Sequence, residues 1–126
     1  YSALENIVEV EVLNPNEGNS MSIVRVGHVK MFAPTCDANP GDFIMVGIRA
    51  GDIIITRDIP PKISARNIVP AVVTEIHESE SQILLVTDIG VRVIVEITHN
   101  ARTELCISKG SDVYLIIKTN TIHIMG

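Results

Sequence analysis

The sequence predicts an all-β protein made of two small β-barrel or sandwich units in tandem, with one short helix in the second. Three observations predict it. Hydrophobic residues make up 46% of the 126-residue chain and aromatics only 3%, so the core has to be aliphatic. The β-branched members of that set are stiff at χ1 and sit well on a pleated surface. Short Val- and Ile-rich segments are punctuated at close spacing by Gly, Asn and Asp, which is turn chemistry between short strands. Finally, the first half of the chain can be laid on the second as a weak internal repeat.

The repeat has three blocks. The segment Glu5 to Val12 aligns with Arg66 to Val73, each opening an extended, Val-rich stretch. Ile23 to Val29 resembles Val86 to Val93: a strand, a turn at glycine, a returning strand. Gly41 to Ile55 matches Gly110 to Ile124 without a gap, so that Gly falls on Gly and Arg49 on Lys118. Between the halves, Pro60-Pro61 predicts an extended connector, because each ring fixes φ and biases the residue before it away from α. The expected units are therefore residues 1–60 and 61–126. The second unit carries an inserted stretch, Thr98 to Leu105, which reads as a short helix with Thr98 as N-cap. A unit of roughly 60 residues buries little surface by itself, so packing of unit on unit and a homodimer are expected.

Composition also excludes several functions. A chain of this length holds one ordinary domain or two very small ones sharing a core, and not a multi-domain enzyme. Its net charge of -5, with two Tyr and two Phe, provides neither an electrostatic groove nor a stacking platform, so no nucleic-acid partner is expected. Cys36 and Cys106 are far apart and outside any metal-ligand spacing; both read as reduced, cytosolic and structural. His28, His77, His99 and His123 form no i, i+4 pair. No Walker A loop, H-E-x-x-H or G-x-S-x-G motif is present. Catalysis by this chain, and a protein-bound metal, are therefore not expected. No uncharged apolar run reaches the length of about 18 residues that spans a bilayer. The start at Tyr1 without Met suggests an excised or processed chain whose amino-terminal partner domain is out of view.

Three places concentrate polar donors. Ser64-Ala65-Arg66-Asn67 follows the connector and offers a hydroxyl, a planar guanidinium fork and an amide within four residues. Lys118-Thr119 sets a cation and a hydroxyl at the end of the apolar run Val113 to Ile117. Thr98 opens the inserted segment, where backbone N–H groups lack helical partners and suit an anion. Each has a plainer reading: a turn closed by Ser or Asn with Arg on a solvated face, a Lys reaching water, an ordinary helix cap.

In order along the chain, Ser64-Ala65-Arg66-Asn67, Ile97-Thr98 followed by Glu104-Leu105, Lys109-Gly110 and Ile117-Lys118-Thr119 resemble the motifs of molybdate-binding TOBE/Mop domains. The second half resembles such a domain throughout. The first half, with Gly47-Ile48-Arg49 and Asp52-Ile53, resembles the segment that precedes this domain in the ATP-binding subunits of molybdate or tungstate ABC importers.

The resemblance implies a pair of OB-like β-barrels that dimerises and binds a tetrahedral oxyanion between protomers, so that abundant cytosolic anion shuts off import. Ser64, Ala65 (through its backbone), Arg66 and Asn67 would line one side of the pocket, with Lys118 and Thr119 beside them and Thr98 supplied by the facing protomer. The ligand would be molybdate or tungstate, with no further cofactor. The partners would be a second copy, the ATP-binding domain of the same parent chain and the importer's membrane subunits, at the cytoplasmic face. Family members commonly carry Ser three residues beyond the Thr; this chain has Ala101, which removes one hydroxyl. Leu4-Glu5 stands where the second half has Ala65-Arg66, and a carboxylate repels an anion, so no equivalent site is expected in the first unit. The rival reading is a free-standing storage protein of the Mop type.

Overall fold

The computed structural model describes residues 4–125, and among them nearly every regular element is a strand. Strands β1 (Glu5–Gly18), β2 (Met21–Val26), β3 (Val29–Pro34) and β4 (Phe43–Arg49) come from the first half, followed by a 3-10 turn at Ala50–Asp52 and the short β5 (Ile54–Thr56). The second half repeats the order with β6 (Asn67–Glu78), β7 (Ile83–Asp88), β8 (Arg92–Ile97), helix α1 (His99–Glu104), β9 (Asp112–Ile117), a 3-10 turn at Thr119–Thr121 and β10 (Ile122–Ile124). The expected all-β architecture with one short helix is therefore present, and no helix among the described residues is long and apolar enough to cross a membrane.

Period-two patterning builds the long strands. In β1, Asn6, Val10 and Val12 point into the core while Glu5, Ile7 and Glu9 point outward; in β6, Asn67, Val69, Ala71 and Val73 point inward. Register shifts after Val12 and after Val73 bend both strands at matching places and curl the two sheets. Pro70 is tolerated within β6 because pairing with β7 begins only at Val72, leaving the ring where the strand has a neighbour on one side.

Each sheet has five strands, in the orders β10-β4-β1-β2-β3 and β5-β9-β6-β7-β8. Each borrows its outermost short strand from the other half of the chain: β5 pairs with β9, and β10 pairs with β4. Residues 57–66, which include Pro60-Pro61, belong to neither a helix nor a strand. One continuous aliphatic core runs through both sheets, from Val10, Val24 and Val46 to Leu85, Val95 and Leu115. The hairpin turns at Gly27 and Gly90 pack against each other, and the His28 N–H donates to the Ile89 carbonyl at 3.0 Å. A Cβ on Gly27 would lie 2.4 Å from the Ile89 carbonyl oxygen, and one on Gly90 would lie 2.7 Å from the His28 backbone nitrogen. Both residues also have positive φ, so only glycine permits this approach.

Two buried asparagines fasten the sheets to each other. Asn67, at the start of β6, accepts from the Phe32 N–H through Oδ1 (2.7 Å) and donates to the Phe32 carbonyl through Nδ2 (2.9 Å). Asn6, its counterpart in β1, accepts from the Ile94 N–H at 2.8 Å and donates to the Ile94 carbonyl at 2.8 Å. Both acceptor residues lie on the outer strands β3 and β8. Each carboxamide therefore acts as one more peptide group, capping an edge that would otherwise be unpaired.

Helix α1 is set by Thr98, whose hydroxyl oxygen accepts from the Ala101 N–H at 3.1 Å. Arg102 forms an ion pair with Glu78, and Arg57 donates to the carbonyls of Leu105 and Cys106 at the other end of the helix. Cys36 and Cys106 are free thiols. Replacing Asn67 or Asn6 by Ala should lower stability in urea denaturation by about 2–4 kcal/mol, since each change leaves a backbone N–H and C=O without partners. An Asn67→Leu variant as stable as the wild type would show that the amide clamp contributes nothing.

Candidate functional site

The register of β6 on β9 brings the predicted residues together. Asn67 lies opposite Ile117, so the residues immediately before and after them, Arg66 and Lys118, meet at the end of the second sheet. Lys118 is held extended at the mouth of the following 3-10 turn, where its carbonyl accepts from both the N–H (3.0 Å) and the hydroxyl (2.7 Å) of Thr121. A cavity of about 480 Å³ opens there, and Ser64, Arg66, Lys118 and Thr119 all line it. Its opposite wall comes from the first half: the hairpin tip Asn19-Ser20-Met21 and the end of β3 at Pro34.

The electrostatics of this cavity are one-sided. Neither Arg66 nor Lys118 forms an ion pair among the described residues. Two cations converging at one rim repel each other, and an anion between them removes that repulsion. The Arg66 guanidinium lies over the Phe32 ring, 4.8 Å from its centroid. Thr119 Oγ1 is buried without a hydrogen-bond partner, a polar atom whose desolvation is not offset within the chain. Thr119 itself lines the cavity, and a rotation about χ1 would be needed to turn this oxygen toward it.

The other sequence candidates fall beside this cluster or away from it. Asn67 is 3% exposed and gives both functional ends of its side chain to Phe32, so it sits beneath the cavity and not on its lining. Ala65 is half-buried between Ser64 and Arg66. Thr98 is exposed at the start of α1 and lines none of this cavity. Its oxygen serves the cap, which leaves the hydroxyl hydrogen free to donate elsewhere.

Sequence reasoning missed the contribution of the first half. Asn19 and Ser20 both have positive φ, at 56° and 61°, and form the two-residue turn between β1 and β2. The Gly18-Asn19 pair signals such a turn, but nothing in the sequence tells which unit the tip will touch. A larger hollow of about 580 Å³ lies elsewhere, lined by Asp88 and Asp112 as well as by His28 and Arg57. Its charges are mixed and Arg57 is already committed to helix carbonyls, so it is not suited to an anion. In the first half, the position equivalent to Arg66 and Lys118 holds Glu5 opposite Arg49, and buried Ala50 replaces Thr119. Neither the double positive charge nor the hydroxyl is repeated there.

Residues 63–124 match the model of the TOBE domain. All four cavity residues predicted from the sequence, Ser64, Arg66, Lys118 and Thr119, lie inside the TOBE match. Over 115 residues, 90% of the chain is 29% identical to the molybdenum import ATP-binding protein ModC of Yersinia pestis, covering 32% of that protein. ModC of Haemophilus influenzae is 28% identical over 122 residues, or 96% of this chain and 35% of its own length. The chain thus spans about a third of the length of the curated relatives it matches. Among solved structures, the cytoplasmic molybdate-binding protein ModG, in a molybdate-bound form, superposes with a TM-score of 0.81 at 20% identity, covering 98% of this chain and 96% of its own. At that identity the likeness establishes a shared fold, and the TOBE match falls in the second half of this chain.

Thr119→Val keeps the side-chain shape and removes the unpartnered oxygen. Its melting temperature in anion-free buffer should equal or exceed that of the wild type, because an orphaned buried hydroxyl costs about 1–3 kcal/mol. A clear loss of stability would mean that the hydroxyl has a structural partner.

Proposed function

We propose that this chain is a non-catalytic oxyanion sensor which binds molybdate or tungstate and restrains the ABC importer to which it belongs when the anion is abundant. The observation that carries this reading is the convergence of Arg66, Lys118 and Thr119 on one cavity, with no carboxylate paired to either cation among the described residues. A tetrahedral dianion needs charge-assisted donors on most of its oxygens, each worth about 1.5–3 kcal/mol. Arg66 supplies a planar fork, Lys118 a point charge, Ser64 a hydroxyl hydrogen and Ala65 its backbone, and Thr119 adds its hydroxyl once the side chain rotates toward the cavity. Asn67 fixes the strand from which Arg66 projects. In a homodimer, Thr98 of the facing protomer completes the shell with its free hydroxyl hydrogen. The ModC relatives favour the importer setting, in which an ATP-binding domain and membrane subunits are the partners on the cytoplasmic side.

A second reading has an observation of its own: the cytoplasmic molybdate-binding protein ModG is matched over 96% of its length by this fold. The storage reading requires a larger oligomer, and the sensor reading a dimer whose assembly the anion strengthens. Sedimentation with and without molybdate separates them.

The direct test of the site is a thermal melt with molybdate, tungstate, sulfate and phosphate. At a hundred times its dissociation constant, molybdate should stabilise the wild type by about 2.7 kcal/mol. Arg66→Ala and Lys118→Ala should abolish that gain while leaving the anion-free melt intact, since both side chains are exposed. Full retention of the gain in either variant would remove the assignment, and equal responses to all four anions would reduce the site to a generic anion patch.

A further inference from the structure

We infer that Phe32 is a positioning residue for oxyanion recognition: its ring holds the Arg66 guanidinium in place, and Asn67 holds the ring. This rests on the oxyanion reading of the cavity given above. Phe32 belongs to β3 of the first sheet, whereas Arg66 directly precedes β6 of the second. The two are joined by the 4.8 Å stack of guanidinium on ring and by the two hydrogen bonds from Asn67, the next residue in the chain, to the Phe32 backbone.

The chemistry of the stack suits an anion site. Arg66 is exposed and without an ion pair, so nothing else identified among the described residues fixes its long side chain. A carboxylate partner would immobilise the guanidinium by consuming its donors and cancelling its charge. An aromatic face engages only the face of the guanidinium, leaving its edge of N–H donors and its full charge for a ligand. The ring therefore preorganises the cation without neutralising it.

Two further observations separate this role from ordinary packing. Phe32 is only half-buried, and neither the aliphatic core nor the partly buried residues packed against it include it. The internal repeat supplies a control within the same chain. Asn6 clamps Ile94 as Asn67 clamps Phe32, but there Ile replaces the aromatic ring and Glu5 replaces the arginine. The amide clamp is common to both halves; the aromatic and the cation occur together in one and are absent together from the other.

The test compares wild type, Phe32→Leu and Phe32→Tyr by calorimetric titration with sodium molybdate and by the NMR signal of the Arg66 Nε–H. Phe32→Leu should raise the molybdate dissociation constant about tenfold and shift the Arg66 signal out of the ring-current field. Phe32→Tyr, which keeps the ring, should restore both. A dissociation constant within twofold of wild type in Phe32→Leu, or a Phe32→Tyr variant as weak as Phe32→Leu, would overturn the inference. A wild type that does not bind molybdate overturns the oxyanion reading itself, and the Arg66 signal in the three proteins still decides whether the ring holds the guanidinium.

Discussion

Two side-chain amides acting as substitute peptide groups hold the two sheets in register, and the geometry of the site follows from that. The outer strands β3 and β8 each present backbone groups that sheet pairing leaves unused. Asn67 meets the N–H and C=O of Phe32, and Asn6 meets those of Ile94, with donor-to-acceptor distances between 2.7 and 2.9 Å. Aliphatic packing supplies most of the cohesion in such a core, but it is non-directional and would tolerate sliding of one sheet over the other. Paired amide bonds do not, because a slip of one residue leaves buried polar groups unsatisfied. The clamp therefore fixes which residue of β3 faces which residue of β6.

That constraint has a chemical consequence. With Phe32 fixed against Asn67, the neighbouring Arg66 meets an aromatic face, and the β6–β9 register sets Lys118 beside it. The cavity is thus shared, with cations and hydroxyls from the second half and a wall from the first. The exchange of β5 and β10 reinforces this sharing, since β10 continues the turn that carries Thr119 and then pairs with β4 of the other sheet. An anion bridging Arg66 and Lys118 would act on the end of the second sheet and on its contact with the first.

Divergence between the halves is concentrated at the same place. The repeat preserves the backbone devices: the Asn clamp, the bulge after Val12 or Val73, the facing glycine turns and the 3-10 turn after β4 or β9. It does not preserve the charges. Arg66 with Lys118 and Thr119 in one half corresponds to Glu5 with Arg49 and Ala50 in the other. The two halves therefore share the determinants of folding and differ in the charges they place at the end of the sheet, which gives a symmetric scaffold with two adjacent cations at one end only.

The sequence by itself determined the local matters. Alternating Val and Ile specified strands, Gly, Asn and Asp marked turns, Thr98 placed the helix start, and the gapless match of Gly41–Ile55 to Gly110–Ile124 exposed the repeat, because each of these is fixed within a few residues along the chain. It also singled out Ser64, Arg66, Lys118 and Thr119 as donors, since charge and hydrogen-bonding type are properties of the residue itself. Only tertiary structure decided that β5 and β10 cross between sheets, that Asn67 spends its amide on Phe32, and that Asn19 and Ser20 wall the cavity. These depend on contacts between segments distant in sequence, where burial of the whole aliphatic surface and satisfaction of edge backbone groups are settled together, and no periodicity or motif records the outcome.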